Sequence, residues 1–134
     1  MTEKSILIID DDQPLLVGLS VRLKSSGYKT SSAMDAVTAI AAAVKEPPDL
    51  IILDLGLPGG DGFVVLERLK MLATLATIPV IVLSARDAKE SRQRALDGGA
   101  VAYFQKPPDN HEFLNAIRHA LGESSNALAT FLKS

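Results

Sequence analysis

"LIILDLGLPGGDG", residues 50–62, carries four large apolar side chains, Leu50 to Leu53, straight into Asp54 and then into a loop of glycine and proline. A run that is apolar at successive positions, without alternation, marks a strand covered on both faces. Such strands belong to parallel sheets flanked by helices. Two further runs share the pattern, Ser5 to Ile9 and Pro79 to Leu83. Tyr28 to Ser32 and Ala102 to Gln105 are shorter and more polar, as expected of strands nearer the sheet edges.

Helical patterns fill the intervals. Leu15, Leu16, Leu19 and Leu23 share one face, as do Val37, Ile40, Ala41 and Val44, and then Val65, Leu66, Leu69 and Leu72. Residues 88–97 predict a fourth helix poor in large apolar groups, with Ala95 and Leu96 as its main core residues. The fifth carries Phe113, Leu114, Ile117 and Leu121. Boundary signals agree: Pro14 suits a first helical turn, Gly98 and Gly99 a helix stop, and Asp109 with Glu112 a capping box. Five strands alternating with five helices predict an α/β fold, a doubly wound five-stranded parallel sheet. In such sheets ligands gather at the carboxyl ends of the strands.

Composition narrows the function. The 134 residues suit one globular domain, and 14 basic against 16 acidic residues leave no broad basic surface for direct binding of nucleic acid or an anionic membrane. Cysteine is absent, which excludes disulfides and thiolate chemistry and fits a reducing, cytoplasmic setting. No apolar run approaches the roughly 20 residues that span a bilayer.

At the strand ends stand Asp10, Asp11 and Asp12, then Asp54, then Ser84, then Lys106 followed by Pro107. If Asp10, Asp11 and Asp54 converge, each like-charge pair near 5 Å costs on the order of 3 kcal/mol at an effective dielectric near 20. One lysine cannot neutralise three carboxylates, so the cluster calls for raised pKa values or a divalent cation, and all-oxygen donors favour Mg2+. The same parts suit phosphoryl transfer to Asp54, with Lys106 and the metal offsetting charge and Ser84 donating a hydrogen bond.

"ILIIDDD", "LIILDLGLPGGDG", "IVLSA" and "AYFQKP", in this order, resemble the receiver domains of bacterial two-component response regulators. The resemblance covers residues 5 to about 121, so residues 1–121 are expected to form the receiver and 122–134 a hinge, a helix-five extension or a linker to an effector. It implies the flavodoxin-like strand order 2-1-3-4-5 and a phosphorylation-activated switch. Asp54 would accept the phosphoryl group from a phosphohistidine on a sensor histidine kinase or histidine phosphotransfer protein. Asp11 and Asp54 would hold Mg2+ by their side chains, Gly56 by its carbonyl and Asp10 mostly through water. Lys106 would pair with the phosphoryl group, and the Lys106–Pro107 bond would be cis. Ser84 and Tyr103 would be the switch pair, the hydroxyl moving toward the phosphoryl group and the ring turning inward. Chemistry would be confined to self-phosphorylation and slow dephosphorylation. Output would pass through helix four, strand five and helix five, strengthening homodimer or partner contacts; the sparse apolar content of helix four makes it the easiest part to move. Three positions depart from the family pattern: Pro108 replaces a bulky apolar residue, while Gly56, without a side chain, and Arg86 bear on phosphoryl lifetime.

Plainer readings stand beside these. Asp12 and Asp61 read as helix-start acids rather than ligands, and His111 and His119 as surface residues. Ser84 alone is an ordinary strand-end hydroxyl, Lys106 alone a solvated lysine, and Tyr103 a packing aromatic; only their joint placement singles them out. A phosphatase of the haloacid dehalogenase type needs an acid two residues after its nucleophile, where this chain has Gly56. Flavin phosphate would be repelled by the three aspartates after strand one. A docking module that keeps the fold without phosphorylation is the remaining alternative.

Overall fold

Ser5–Ile9 (β1) lies between two parallel partners, Lys29–Ala33 (β2) and Leu50–Leu53 (β3), and Val80–Ser84 (β4) and Ala102–Gln105 (β5) continue the sheet beyond β3. This computed structural model describes residues 3–58, 61–86 and 89–123. Every pairing is parallel and the order is β2-β1-β3-β4-β5. The intervening helices are Gln13–Ser25 (α1), Ala36–Lys45 (α2), Gly62–Met71 (α3), Lys89–Asp97 (α4) and Asn110–Ala120 (α5).

Because side chains alternate across a strand, each apolar run feeds two cores. Ile6, Ile8, Leu50, Ile52, Ile81 and Leu83 pack with Leu16, Leu19 and Leu23 of α1 and Phe113 and Ile117 of α5. Leu7, Ile9, Ile51, Leu53, Val80 and Val82 pack on the other side with α2, α3 and Ala95 of α4. Full burial of one such aliphatic side chain stabilises the fold by about 1.5–3 kcal/mol, so the three central strands dominate the energetics. Pro14 stands in the first turn of α1, where a missing N–H costs nothing, and Asp12, Asp35, Asp61 and Asp109 each cap a helix by accepting a backbone N–H.

Three details differ from the periodicity reading. The sheet-facing side of α2 is Ala36, Ala39, Ile40 and Ala43, while Val37 and Val44 are 73% and 52% exposed. The helix is apolar almost all round, so period alone could not choose its face; the small alanines let it lie close against the sheet. Leu96 is exposed, not a core residue, leaving Ala95 as the one buried residue of α4. Leu72 also lies at the surface, just past the end of α3.

Helix α5 stops decisively. Gly122 has φ +75°, a left-handed turn that suits glycine; its N–H bonds the carbonyl of His119 while the N–H of Glu123 bonds that of Arg118 at 2.8 Å. The Tyr28 hydroxyl donates to Glu123 Oε1 at 2.8 Å. Burial, and then the neighbouring Glu123 carboxylate, push the phenol up to about 12. Of the hinge, helix-five extension or linker expected over 122–134, residues 124–134 lie outside the described residues.

Candidate functional site

The topology gathers the strand ends. Register pairs Ile9 with Leu53, and the Asp54 N–H donates to the Ile9 carbonyl at 2.9 Å, which sets Asp10 and Asp54 next to each other. One carboxylate oxygen from each of Asp10, Asp11 and Asp54 lies within 4.8 Å of the others; Asp10 and Asp54 are buried and Asp11 is exposed. Lys106 reaches in from the end of β5, its Nζ 2.9 Å from Asp10 Oδ2 and 3.7 Å from Asp54 Oδ1. The Lys106–Pro107 peptide is cis, and the Lys106 N–H donates to the Ser84 carbonyl at 2.8 Å.

Charge explains the pattern of pKa values. Burial, then the Asp10 carboxylate, raises Asp54 above the ordinary aspartate range, against the pull of Lys106 and a backbone hydrogen bond from Gly56. Burial alone would depress the Lys106 ammonium, but its bond to Asp10 and the charges of Asp54, Asp10 and Asp12 outweigh that and raise it. At about 4.8 Å each carboxylate pair still carries about 3 kcal/mol of repulsion at an effective dielectric near 20, and one ammonium faces three acids. A hard divalent cation fits this donor set: the ligand atoms are all oxygens, and exposed Asp11 leaves one side open.

Ser84 is 1% exposed, and its Oγ accepts the Arg86 N–H at 3.2 Å. The Tyr103 ring is already buried, and its hydroxyl donates to the Arg86 carbonyl. The Arg86 side chain is exposed, its guanidinium carbon 5.8 Å from the centre of the Phe63 ring. A Cβ added to Gly56 would stand 3.8 Å from Asp54 Oδ2, so a side chain there would flank the carboxylate directly. Asp12 and Asp61 cap α1 and α3, and His111 and His119 are exposed on α5.

The response regulator receiver domain family model matches residues 6–118. The chain belongs to this family. Among relatives of this receiver domain, the transcriptional regulatory protein KdpE of Mycobacterium tuberculosis is 41% identical over 122 residues, covering 91% of the chain and 53% of KdpE. The DNA-binding regulator RpaA of Synechocystis is 41% identical over 87% of the chain and 48% of its own length, so the receiver spans about half of such relatives. Sporulation initiation phosphotransferase F of Bacillus subtilis is 33% identical, covering 94% of the chain and 100% of that protein. A solved CheY-like receiver domain protein from Methanospirillum hungatei superposes with a TM-score of 0.84 at 30% identity, covering 91% of this chain and 96% of that one. No helix of the described residues is long and apolar enough to cross a membrane.

Two features of this receiver were not read from the sequence. Gly62 sits against the backbone of the central aspartate: a Cβ there would lie 2.5 Å from the Asp54 carbonyl oxygen and 2.5 Å from Leu55 Cα. Arg94 of α4 places its guanidinium carbon 3.9 Å from the Phe63 ring centre. The Asp61-Gly62 pair was a visible signal for a tight approach; nothing in the sequence linked Phe63 to Arg94.

Proposed function

We propose that this receiver domain is a cytoplasmic, Mg2+-dependent phosphorylation switch. Asp54 accepts a phosphoryl group from the phosphohistidine of a sensor histidine kinase or a histidine phosphotransfer protein. The observation that carries the reading is the convergence of Asp10, Asp11 and Asp54 on one rim with Lys106 as their cation. An Asp54 carboxylate oxygen attacks phosphorus in line, and the P–N bond to the donor imidazole breaks as the O–P bond forms. The Asp11 and Asp54 side chains and the Gly56 carbonyl, with Asp10 mainly through water, would hold Mg2+, which when bound would supply positive charge against the phosphoryl oxygens. Lys106, whose Nζ already lies 3.7 Å from Asp54 Oδ1, pairs with the phosphoryl group. The Ser84 hydroxyl leaves the Arg86 N–H and donates to a phosphoryl oxygen; Tyr103, already inward, holds the space behind it.

The consequence is a changed α4–β5–α5 surface that binds a partner or a second copy more tightly. Gly56 and Arg86 tune how long the acyl phosphate survives, and no chemistry beyond its formation and slow hydrolysis is assigned. Against the alternative, a docking module that has lost phosphorylation, stands the complete set of site residues. Labelled phosphohistidine kinases presented to the receiver with Mg2+ discriminate the two. Transfer to the parent but not to Asp54→Asn supports the switch; retention of label on every kinase and phosphotransfer protein offered favours the docking module.

A further inference from the structure

Helix α4 has a sparse apolar attachment to the rest of the domain. Ala95 is its one buried residue, and a groove of about 410 Å³, lined by Phe63, Leu66 and Lys70 of α3 and by Arg94 and Gly98, runs along its seam with α3. Across that seam the Arg94 guanidinium lies over the Phe63 ring, and neither Arg94 nor Arg86 is ion-paired among the described residues. A ring face of this kind attracts an exposed cation such as Arg94 enough to shift a two-state equilibrium by about 2- to 5-fold. Arg86 approaches the same ring, at 5.8 Å.

We propose that Phe63 and Arg94 form a latch that fixes α4 in the position seen here, with Arg86 as the competing cation that releases it. The proposal rests on Asp54 being the phosphoacceptor. Phe63 directly follows Gly62, whose N–H donates to the Leu55 carbonyl beside Asp54, so the ring stands in the first turn of α3, which is tied to the backbone next to the acceptor. The Arg86 backbone is bonded to both Ser84 Oγ and the Tyr103 hydroxyl. When the Ser84 hydroxyl turns to a phosphoryl group on Asp54, the Arg86 N–H loses its acceptor and the residue can move over Phe63. Two guanidiniums repel across one ring, so the approach of Arg86 displaces Arg94 and frees α4.

Two measurements test this on the whole receiver. The first is amide hydrogen exchange without ligand. Arg94→Gln, a surface change that keeps the fold, speeds exchange in α4 about 2- to 5-fold and leaves α1 and α5 unchanged; unaltered α4 protection overturns the latch. The second is beryllofluoride binding at fixed Mg2+. Arg94→Gln and Phe63→Leu each tighten it about 2- to 5-fold, and the double variant gains no more than either single one. Affinities equal to or weaker than the parent, or gains that add, overturn the coupling. If the parent itself fails to bind beryllofluoride, the reading of Asp54 fails, and the exchange measurement alone decides whether the latch holds α4.

Discussion

At the residue scale the proposed phosphoacceptor site is a compromise between burial and charge. Asp54 is held above the usual aspartate pKa by burial and by Asp10, so its ionisation is a cost that the folded metal-free protein bears. A carboxyl with a raised folded pKa gives stability that is complete below the unfolded value, near 3.9, and is lost as pH rises through the folded value. Asp54→Asn therefore stabilises the metal-free protein at neutral pH by about 1 kcal/mol, the repulsion relieved being partly offset by lost attraction to Lys106. It also flattens the decline in stability above pH 4. Urea unfolding at several pH values in a chelator checks this; an Asn variant less stable than the parent at pH 7 contradicts it. Gly62→Ala acts by sterics: a Cβ 2.5 Å from the Asp54 carbonyl oxygen meets backbone that cannot swing aside, and a loss of about 2 kcal/mol is expected in the same assay. The meeting of Asp10, Asp11, Asp54 and Lys106 on one rim was legible in the sequence because these residues follow the ends of β1, β3 and β5. The hydrogen bonds that converge on the Arg86 backbone were not, since a main-chain amide and carbonyl leave no mark in the sequence.

At the element scale, legibility followed contrast. The runs in β1, β3 and β4 are apolar without interruption and their bounds fall within a residue of the structure, whereas α2, apolar on nearly every side, gave the wrong face. The exit from α5 shows what an end can hold in place. Tyr28, just before β2, is bonded to Glu123, just after α5, and burial together with that carboxylate raises its phenol to about 12. Raised folded pKa again means stability present below the unfolded value near 10 and lost as pH climbs through about 12. Tyr28→Phe removes this alkaline loss; denaturant midpoints between pH 9 and 11.5 that fall equally in both proteins would show the pair to be irrelevant.

At the scale of the whole molecule, the sheet order itself makes the site, because the order 2-1-3-4-5 sets β1 and β3 side by side and brings their carboxyl ends together. The rhythm of strands and helices announced a doubly wound sheet, and the motif resemblance supplied the order. Mg2+ bound to the native state alone adds about 2.7 kcal/mol at about 100 times its Kd, so thermal unfolding shifts upward with Mg2+ concentration. Asp11→Asn blunts that shift; a variant that responds like the parent removes Asp11 from the metal site. The central claim, that Asp54 is a phosphoryl acceptor, is met most directly by incubating the receiver with a small phosphoramidate donor, with and without Mg2+, and mapping the modified peptide by mass spectrometry. One added phosphoryl group on Asp54, dependent on Mg2+ and absent from Asp54→Asn, is the predicted result. A protein left unmodified with Mg2+ present, or one labelled at another residue, would contradict the account.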